Sequence, residues 1–509
     1  MKPILNHSKE LLKTLGEPQG VYSAFLRICE IPHGSGNTKQ LANELIEFGK
    51  SLGYEPEKDK VGNVLIRKPA YGSKSKSNVI CIEAHMDMVC TKESNSNFDF
   101  LSDPIQCVVE EERYLTANGT SLGADNGLGM AMALDVLANP DLVHGPLEFL
   151  FTIDEETTME GARHIEHFLE AKYLINVDTE DLGYVYVGSA GSIQRTFEKP
   201  ILREKNLKNE TDFVEKKISI KGLKGGHSAL EINKEGGNSN KIIAQLLFNE
   251  IKLQFKIVDF QGGKPGIQNI IPSFTKATII IPKQYSEEFD QNINKNFENI
   301  LQDYHKIENL KSIKFKVETE EYSKSNSKIK PLTLESTKNV LSLILAIPHG
   351  VRKNDLQSGT CSVKSSQCLS VCYFKNNNFM IEILGRSSSV IDLQLMDNIG
   401  ESIAILSQSK YIKEIEGDFP PWFPQYENNL ALDCIKQAHL ELFNKEMNVE
   451  TRHSGLEPSL LLQNYPQMVA ISFGPEISGA HSINEKIDMQ SVDATHRLFI
   501  KTLELLANY

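Results

Sequence analysis

The chain has 509 residues, with 54 Lys and Arg against 67 Asp and Glu, a net charge of −13. Hydrophobic residues are 40% and charged residues 24%, a globular composition that excludes disordered, collagen-like and coiled-coil chains. The acidic balance argues against nucleic-acid and anionic-membrane binding, and no apolar run nears the ~20 residues of a membrane span.

In chain order, Asn37–Leu52 carries Leu41, Leu45, Ile46 and Phe48 at helical spacing. Val61–Arg67 and Asn78–Val89 read as strands, Asn126–Leu137 as a buried helix, and Pro146–Asp154 as a central strand. A helix over Gly161–Glu170 and a strand over Tyr173–Asp178 complete an α/β alternation that predicts a largely parallel sheet. The texture changes at Lys199–Phe213, which reads as a linker or exposed edge. Strand Val214–Lys221, helix Ser239–Lys252, two strands around Ile267–Ile281, helix Ser286–Tyr304 and strand Ser312–Glu318 follow. Beyond a polar loop at Lys324–Lys328 comes a comparable series. It comprises helix Thr337–Ala346, strands near Gln367–Tyr373 and Phe379–Arg386, helix Asp392–Ser407 and strand Tyr411–Glu416. The two series suggest two similar α+β halves. Proline-rich Asp418–Pro424 marks a boundary, after which helix Asn429–Phe443, strand Val469–Phe473 and helix Gln490–Asn508 return to the first texture. The expected organisation is an α/β domain (1–195 and 419–509) interrupted by an α+β insertion over 196–418.

The N-terminal residues lack the apolar stretch of a signal peptide, and the eight cysteines form no CxxC pair. Both features lead us to expect a cytoplasmic protein with reduced thiols.

Chemistry concentrates at the predicted strand ends. His85 and Asp87 lie two apart at the end of an apolar strand and so face the same side, where the carboxylate can orient the imidazole. Gly119–Gly129 holds four glycines around Asp125 and suits a tight loop opening a helix. It lacks the phosphate-binding patterns GxxxxGK[ST] and GxGxxG, which argues against a nucleotide site. Asp154-Glu155-Glu156 ends another strand, and three adjacent carboxylates there repel one another unless a cation sits among them. Asp178 stands at a further strand end, and His481 lies in the loop after Val469–Phe473. Taken singly, each is an ordinary turn or cap residue. Together, His85, Asp125, Glu156, Asp178 and His481 suit two divalent ions sharing one carboxylate, zinc by preference, with manganese or cobalt tolerable. Glu155 beside them would act as general base, and such a site is equipped to hydrolyse an amide.

The chain resembles the aminoacyl-histidine (Xaa-His, carnosinase-like) dipeptidases of the co-catalytic dizinc dipeptidase, aminoacylase and carboxypeptidase family. The likeness rests on Ala84–Val89, Gly119–Gly129, Asp154–Glu156, Asn176–Asp178, Lys221–Ser228, Gly474-Pro475 and Gly479–Ser482. It implies a phosphorylase/hydrolase-like dizinc exopeptidase domain, with a mostly parallel central sheet and a lid of two similar halves. His85 and Asp178 would hold one metal, Glu156 and His481 the other, and Asp125 would bridge them. Asp87 would fix the tautomer of His85, and Glu155 would shuttle the proton. His227, in Gly225-Gly226-His227-Ser228, would stabilise the oxyanion. Asn269 and Arg386 would hold the substrate, Arg386 by its free carboxylate, and Glu457 would meet its amine. The substrate implied is an unblocked dipeptide, and a homodimer is possible. The chain departs from the family pattern at Gln268, Ala229-Leu230, Gln367-Cys368 and Pro458-Ser459, all on the specificity side. An N-acyl-amino-acid amidohydrolase or a broader di/tripeptidase on the same scaffold, and a non-catalytic homologue, are the alternative readings.

Overall fold

A computed structural model of the chain describes residues 5–72, 74–205, 212–322, 329–355 and 362–509. The polar loop at Lys324–Lys328 lies outside these residues, as does part of the expected linker at Lys199–Phe213. The chain folds into two compact units. One comprises residues 1–189, 422–452 and 456–509, and the other 190–421 and 453–455.

The first unit is built on an eight-stranded mixed sheet. Its order is Glu57–Lys58, Val64–Lys68, Leu147–Thr152, Ile80–His85, Tyr173–Asn176, Val469–Ser472, Tyr184–Ser189 and Asn448–Arg452. Ile80–His85 runs parallel to both its neighbours, so the chain reverses through helices, and every residue of this strand is buried. That double burial is why it reads as a mostly apolar run, interrupted only by Glu83 before His85, rather than an alternating one. Parallel alignment also brings the carboxyl ends of Ile80–His85, Leu147–Thr152, Tyr173–Asn176 and Val469–Ser472 to one edge. His85 ends the first of these strands, and Glu155–Glu156 and Asp178 come just after the second and third.

Helix Ala124–Ala138 is apolar almost all round and is buried along its length, apart from the half-buried Asp125 and Asp135 and the exposed Ala138 at its end. Gly129 admits it there, because a Cβ at that position would stand 1.9 Å from the carbonyl oxygen of Val177. The helix start is thereby pressed against the strand end that carries Asp178.

The second unit has its own core and a nine-stranded antiparallel sheet. Eight of its strands form two β-α-β-β-α-β modules, and the ninth, Gly350–Asp355, pairs with Ser362–Lys375 off this path. One is Phe213–Lys221, helix Ser239–Asn249, Lys256–Gly262, Thr275–Pro282, helix Ser286–Asp303 and Lys314–Glu321. The other is Gly191–Pro200, helix Leu334–Ala346, Ser362–Lys375, Asn378–Ser387, helix Val390–Ser407 and Lys410–Lys413. Each module sets its strands, from the outer edge inward, in the order fourth, first, third, second. The two second strands meet at the centre through Gly262 and Cys372. The modules are not consecutive in the chain. The whole of the first is inserted between the first strand and first helix of the second.

Three local differences from the sequence reading have physical causes. Helix Gly161–Glu170 shrinks to Glu160–Arg163, because the amide of Glu166 donates to Asp59 and those of Glu170 and Ala171 donate to Glu148. These side chains replace the helical carbonyl partners. Lys199 and Pro200 end a ten-residue strand, Gly191–Pro200, rather than opening a linker. That strand is mostly buried and pairs on both sides, and its charged residues Arg195 and Lys199 find partners on helix Val390–Ser407, in Asp397 and the Ser407 carbonyl. Strand Lys256–Gly262 also lies where no strand was expected.

Candidate metal centre

Five side chains converge at the edge of the first unit's sheet. His85, buried at its strand end, places Nε2 3.0 Å from Asp125 Oδ1 and 3.2 Å from Asp178 Oδ1. His481 places its Nε2 3.3 Å from Asp125 Oδ2 and 2.9 Å from Glu156 Oε2. The Asp125 carboxylate therefore stands between the histidines, one oxygen towards each. Two donors on one tetrahedral zinc, each at ~2.0–2.1 Å, are themselves about 3.3 Å apart. The observed separations of 2.9–3.3 Å match two donor sets sharing Asp125.

The electrostatics fit the same occupant. Burial, followed by repulsion from Asp125, pushes Glu156 up to about 7. Burial raises Asp178 to about 8, with Asp125 again adding repulsion and His85 opposing it. Burial also drives Glu155 well up, with Glu156, Asp178 and Asp125 adding to it against His85. Burial would lower both histidines, but their carboxylate neighbours outweigh it. They hold His85 well above its ordinary value and His481 at about 12. Hydrogen bonds from His481 and His85 overcome burial at Asp125 and keep it far below the usual carboxylate range. Glu156 Oε1 is buried without a hydrogen-bond partner, and Asp178 Oδ1 has only His85 Nε2 near it, at 3.2 Å. Carboxylates crowded to this degree, with oxygens left over, are satisfied by divalent cations. Imidazole and carboxylate donors suit zinc, manganese or cobalt.

Asp87 holds the frame around these donors. Its carboxylate accepts the Ser35 hydroxyl at 2.7 Å and the amides of Glu155 and Glu156 at 2.9 and 3.3 Å. The acidic turn is thus fastened to the strand end that carries His85. Burial would raise Asp87, but His85, Ser35 and the Glu155 amide overcome it and keep its pKa below the usual value. The Nδ1 of His85 lies 3.0 Å from the Asp87 carbonyl oxygen and 3.6 Å from its carboxylate, so the backbone acceptor is the nearer. Glu457 is fully buried, accepts the Thr152 hydroxyl at 2.5 Å and shares a side-chain hydrogen bond with the Glu83 carboxyl. Burial and the adjacent Glu83 drive its pKa well up.

The remaining expected site residues lie in the second unit. A two-stranded ribbon pairs Gly226–His227 with Ile270–Ile271, and the Ser228 amide donates to the Asn269 carbonyl oxygen at 2.8 Å. His227 and Asn269 are thereby neighbours. The ribbon packs on strand Ser362–Lys375, where Cys368 contacts the Ile270 carbonyl. The next strand over carries Arg386, opposite Ser366. Arg386 is only 7% exposed, and no carboxylate pairs with it among the described residues. Burial lowers it to about 10, and its Nε has no partner. His453, which the sequence reading left without a role, sits in the same unit. Its Nε2 lies 2.8 Å from the Ser366 hydroxyl, and burial together with Arg386 lowers it to about 3. Glu485 was also missed, although it is 2% exposed and bonds to the Asp125 loop. A glutamate in a loop carries no periodic or motif signal that could have singled it out.

Comparison with known proteins gives concordant results. The profile of Peptidase family M20/M25/M40 matches residues 81–505. The cytosol non-specific dipeptidase of Escherichia coli (strain K12) is 36% identical over 484 residues, 93% of this chain and 95% of that protein. The crystal structure of aminoacylhistidine dipeptidase from Vibrio alginolyticus matches with a TM-score of 0.79 at 30% identity, covering 97% of each chain. A tripeptidase from Staphylococcus aureus shares the fold, with a TM-score of 0.54 at 16% identity over 97% of this chain and 100% of that one.

Proposed function

The chain belongs to peptidase family M20/M25/M40, and on that premise we propose that it is a metal-dependent dipeptidase acting on unblocked dipeptides, Xaa-His among them. The observation that carries this reading is the Asp125 carboxylate placed between His85 and His481, with Asp178 and Glu156 on either side. We assign His85 and Asp178 to one ion, Glu156 and His481 to the other, and Asp125 to both, with zinc as the first choice of metal. Bound there, divalent ions supply positive charge that acidifies water and stabilises an oxyanion.

The chain's own residues do the rest. Glu155, whose buried carboxyl takes up a proton readily, accepts the proton of the attacking water and returns it to the leaving amine. Asp87 keeps Glu155 and His85 in register through the two amides and Ser35. His227 donates to the scissile carbonyl oxygen as it gains charge. Arg386, a buried guanidinium without a carboxylate partner among the described residues, takes the substrate's free carboxylate, and Asn269 holds its backbone. Glu457, buried beside Glu83, receives the substrate's ammonium group.

A cytoplasmic location agrees with the name of the Escherichia coli relative, and no helix among the described residues is long and apolar enough to cross a membrane. A homodimer is the proposed assembly. Helix Val390–Ser407 exposes Ile391, Leu395, Ile405 and Leu406, and the following strand, Lys410–Lys413, is an open sheet edge. The mass of the particle in solution tests this.

The activity is tested with dipeptides, tripeptides and N-acetylated dipeptides at defined zinc, manganese and cobalt. Cleavage confined to free dipeptides is expected, and a clear preference for the blocked compounds would reject the reading. Glu155→Gln should retain metal and lose hydrolysis; undiminished turnover would remove Glu155 from its role.

A further inference from the structure

The glycine-rich loop before helix Ala124–Ala138 lacks a nucleotide-binding pattern, yet it does bind an anion, and that anion is the chain's own Glu485. The Oε2 of Glu485 accepts the amides of Leu122 at 2.7 Å and Gly123 at 3.0 Å. Its Oε1 accepts those of Ala124 at 2.8 Å and Asp125 at 3.3 Å. Four consecutive amides at a helix start form an anion cradle, and Gly123, at φ 71°, turns the chain so that they converge. Glu485 makes no ion pair among the described residues; burial, with repulsion from Asp125, pushes its pKa up to about 7, and the amides of Gly123, Leu122 and Asp125 oppose that rise.

Glu485 also follows His481 by four residues, in a loop fixed at both ends. The Thr91 hydroxyl donates to the His481 carbonyl at 3.0 Å, and the Thr116 hydroxyl donates to that of Glu485 at 2.7 Å. One carboxylate thus closes the loop carrying His481 onto the loop carrying Asp125, residues that are 356 positions apart in the chain. We propose that Glu485 is a positioning residue that sets the Asp125-to-His481 separation, and through it the affinity of the ion held by Asp125, Glu156 and His481. The inference rests on the metal-site assignment above and deepens it. An ion that needs donors from two distant loops loses affinity when the tie between the loops is cut. The ion shared with His85 and Asp178 keeps two donors on sheet strand ends and is affected less.

Metal titration of the intact chain against a competing chelator tests this, with zinc and with cobalt followed by its visible absorption. Glu485→Gln keeps the shape but turns an amino group towards the amides. It should weaken one of two equivalents by ~10–100-fold, the range for residues that orient metal ligands, and leave the other within about threefold. Glu485→Asp, which keeps the charge, should recover part of the loss, and it serves in place of Glu485→Gln if the latter does not fold. At saturating metal, kcat should return towards wild type with KM unchanged. Two equivalents bound as tightly as in wild type would overturn the proposal. Equal weakening of both, in step with a lowered unfolding midpoint of the metal-free chain, would also overturn it by making Glu485 merely structural. No substrate enters the titration. A chain that takes up two ions but cleaves no dipeptide sinks the proposed activity alone, and tight uptake of both ions by Glu485→Gln sinks this inference alone.

Discussion

Asp87→Asn replaces the acceptor-only carboxylate under the acidic turn with an amide of the same size. In the native chain Oδ1 accepts the Glu155 amide, and Oδ2 accepts the Glu156 amide and the Ser35 hydroxyl. Asparagine has a single acceptor oxygen. The Ser35 hydroxyl can rotate to accept from the new amino group, but one of the two backbone amides must lose its partner. A buried orphaned donor costs about 1–3 kcal/mol, and converting the surviving bonds from charge-assisted to neutral costs about 1 kcal/mol more. The expected destabilisation of the metal-free chain is therefore about 2–4 kcal/mol, read as a lower urea midpoint. Because the same turn carries Glu155 and Glu156, zinc affinity should fall by ~10–100-fold and kcat with it. There is also a signature in pH. The folded-state pKa of Asp87 is depressed, so its stabilisation is present above the ordinary carboxylate value of ~3.9 and is lost as pH falls through the folded value. The variant should lack that part of the acid slope. An unchanged urea midpoint together with zinc affinity within threefold of wild type would refute the reasoning.

Other outcomes follow from the same geometry. Chelation should abolish hydrolysis and added zinc, manganese or cobalt restore it, and metal uptake should weaken in acid because His85 and His481 must be free of protons to bind; an enzyme active without metal would contradict the site. His227→Ala should lower kcat by ~10²–10³ with little change in KM, the loss typical of one oxyanion donor, as steady-state kinetics would show. Arg386→Met should raise KM for free dipeptides by ~10–100-fold while leaving C-terminally amidated dipeptides as poor as before, since only the former offer a carboxylate. Arg195 forks onto Asp397 at 2.6 and 2.8 Å and reaches Asp418 at 2.7 Å within the second unit. Arg195→Lys should destabilise that unit by about 2–3 kcal/mol in denaturant unfolding, because an ammonium cannot reproduce the fork.

Much of the site was legible because its residues follow strands that announce themselves. Ile80–His85 and Leu147–Thr152 are buried on both faces, so the sequence spells mostly apolar runs, each broken only by one buried glutamate (Glu83, Glu148), and the charged residues at and past their ends stand out against that background. Strand Gly191–Pro200 was hidden for the opposite reason. It carries Arg195, Glu198 and Lys199 among its apolar residues, and the partners that let it bury them, Asp397 and the Ser407 carbonyl among them, come from remote segments. The modular symmetry of the second unit was only half visible. Its two helix-and-strand series could be seen, but Gly191–Pro200 is cut off from its own module by the whole of the other, so no contiguous repeat exists to be read.

The sequence by itself determined which side chains can do the chemistry. A histidine and carboxylates at the ends of apolar strands are local facts, set by side-chain type and by the alternation of strand and helix. The tertiary structure alone decided which of them meet. His481 reaches Asp125 because a parallel sheet gathers strand ends from opposite ends of the chain. Glu485 reaches the Asp125 loop because four amides point inward only once helix Ala124–Ala138 is packed in the core. Separation in space depends on how the layers pack, and no local pattern of residues encodes it.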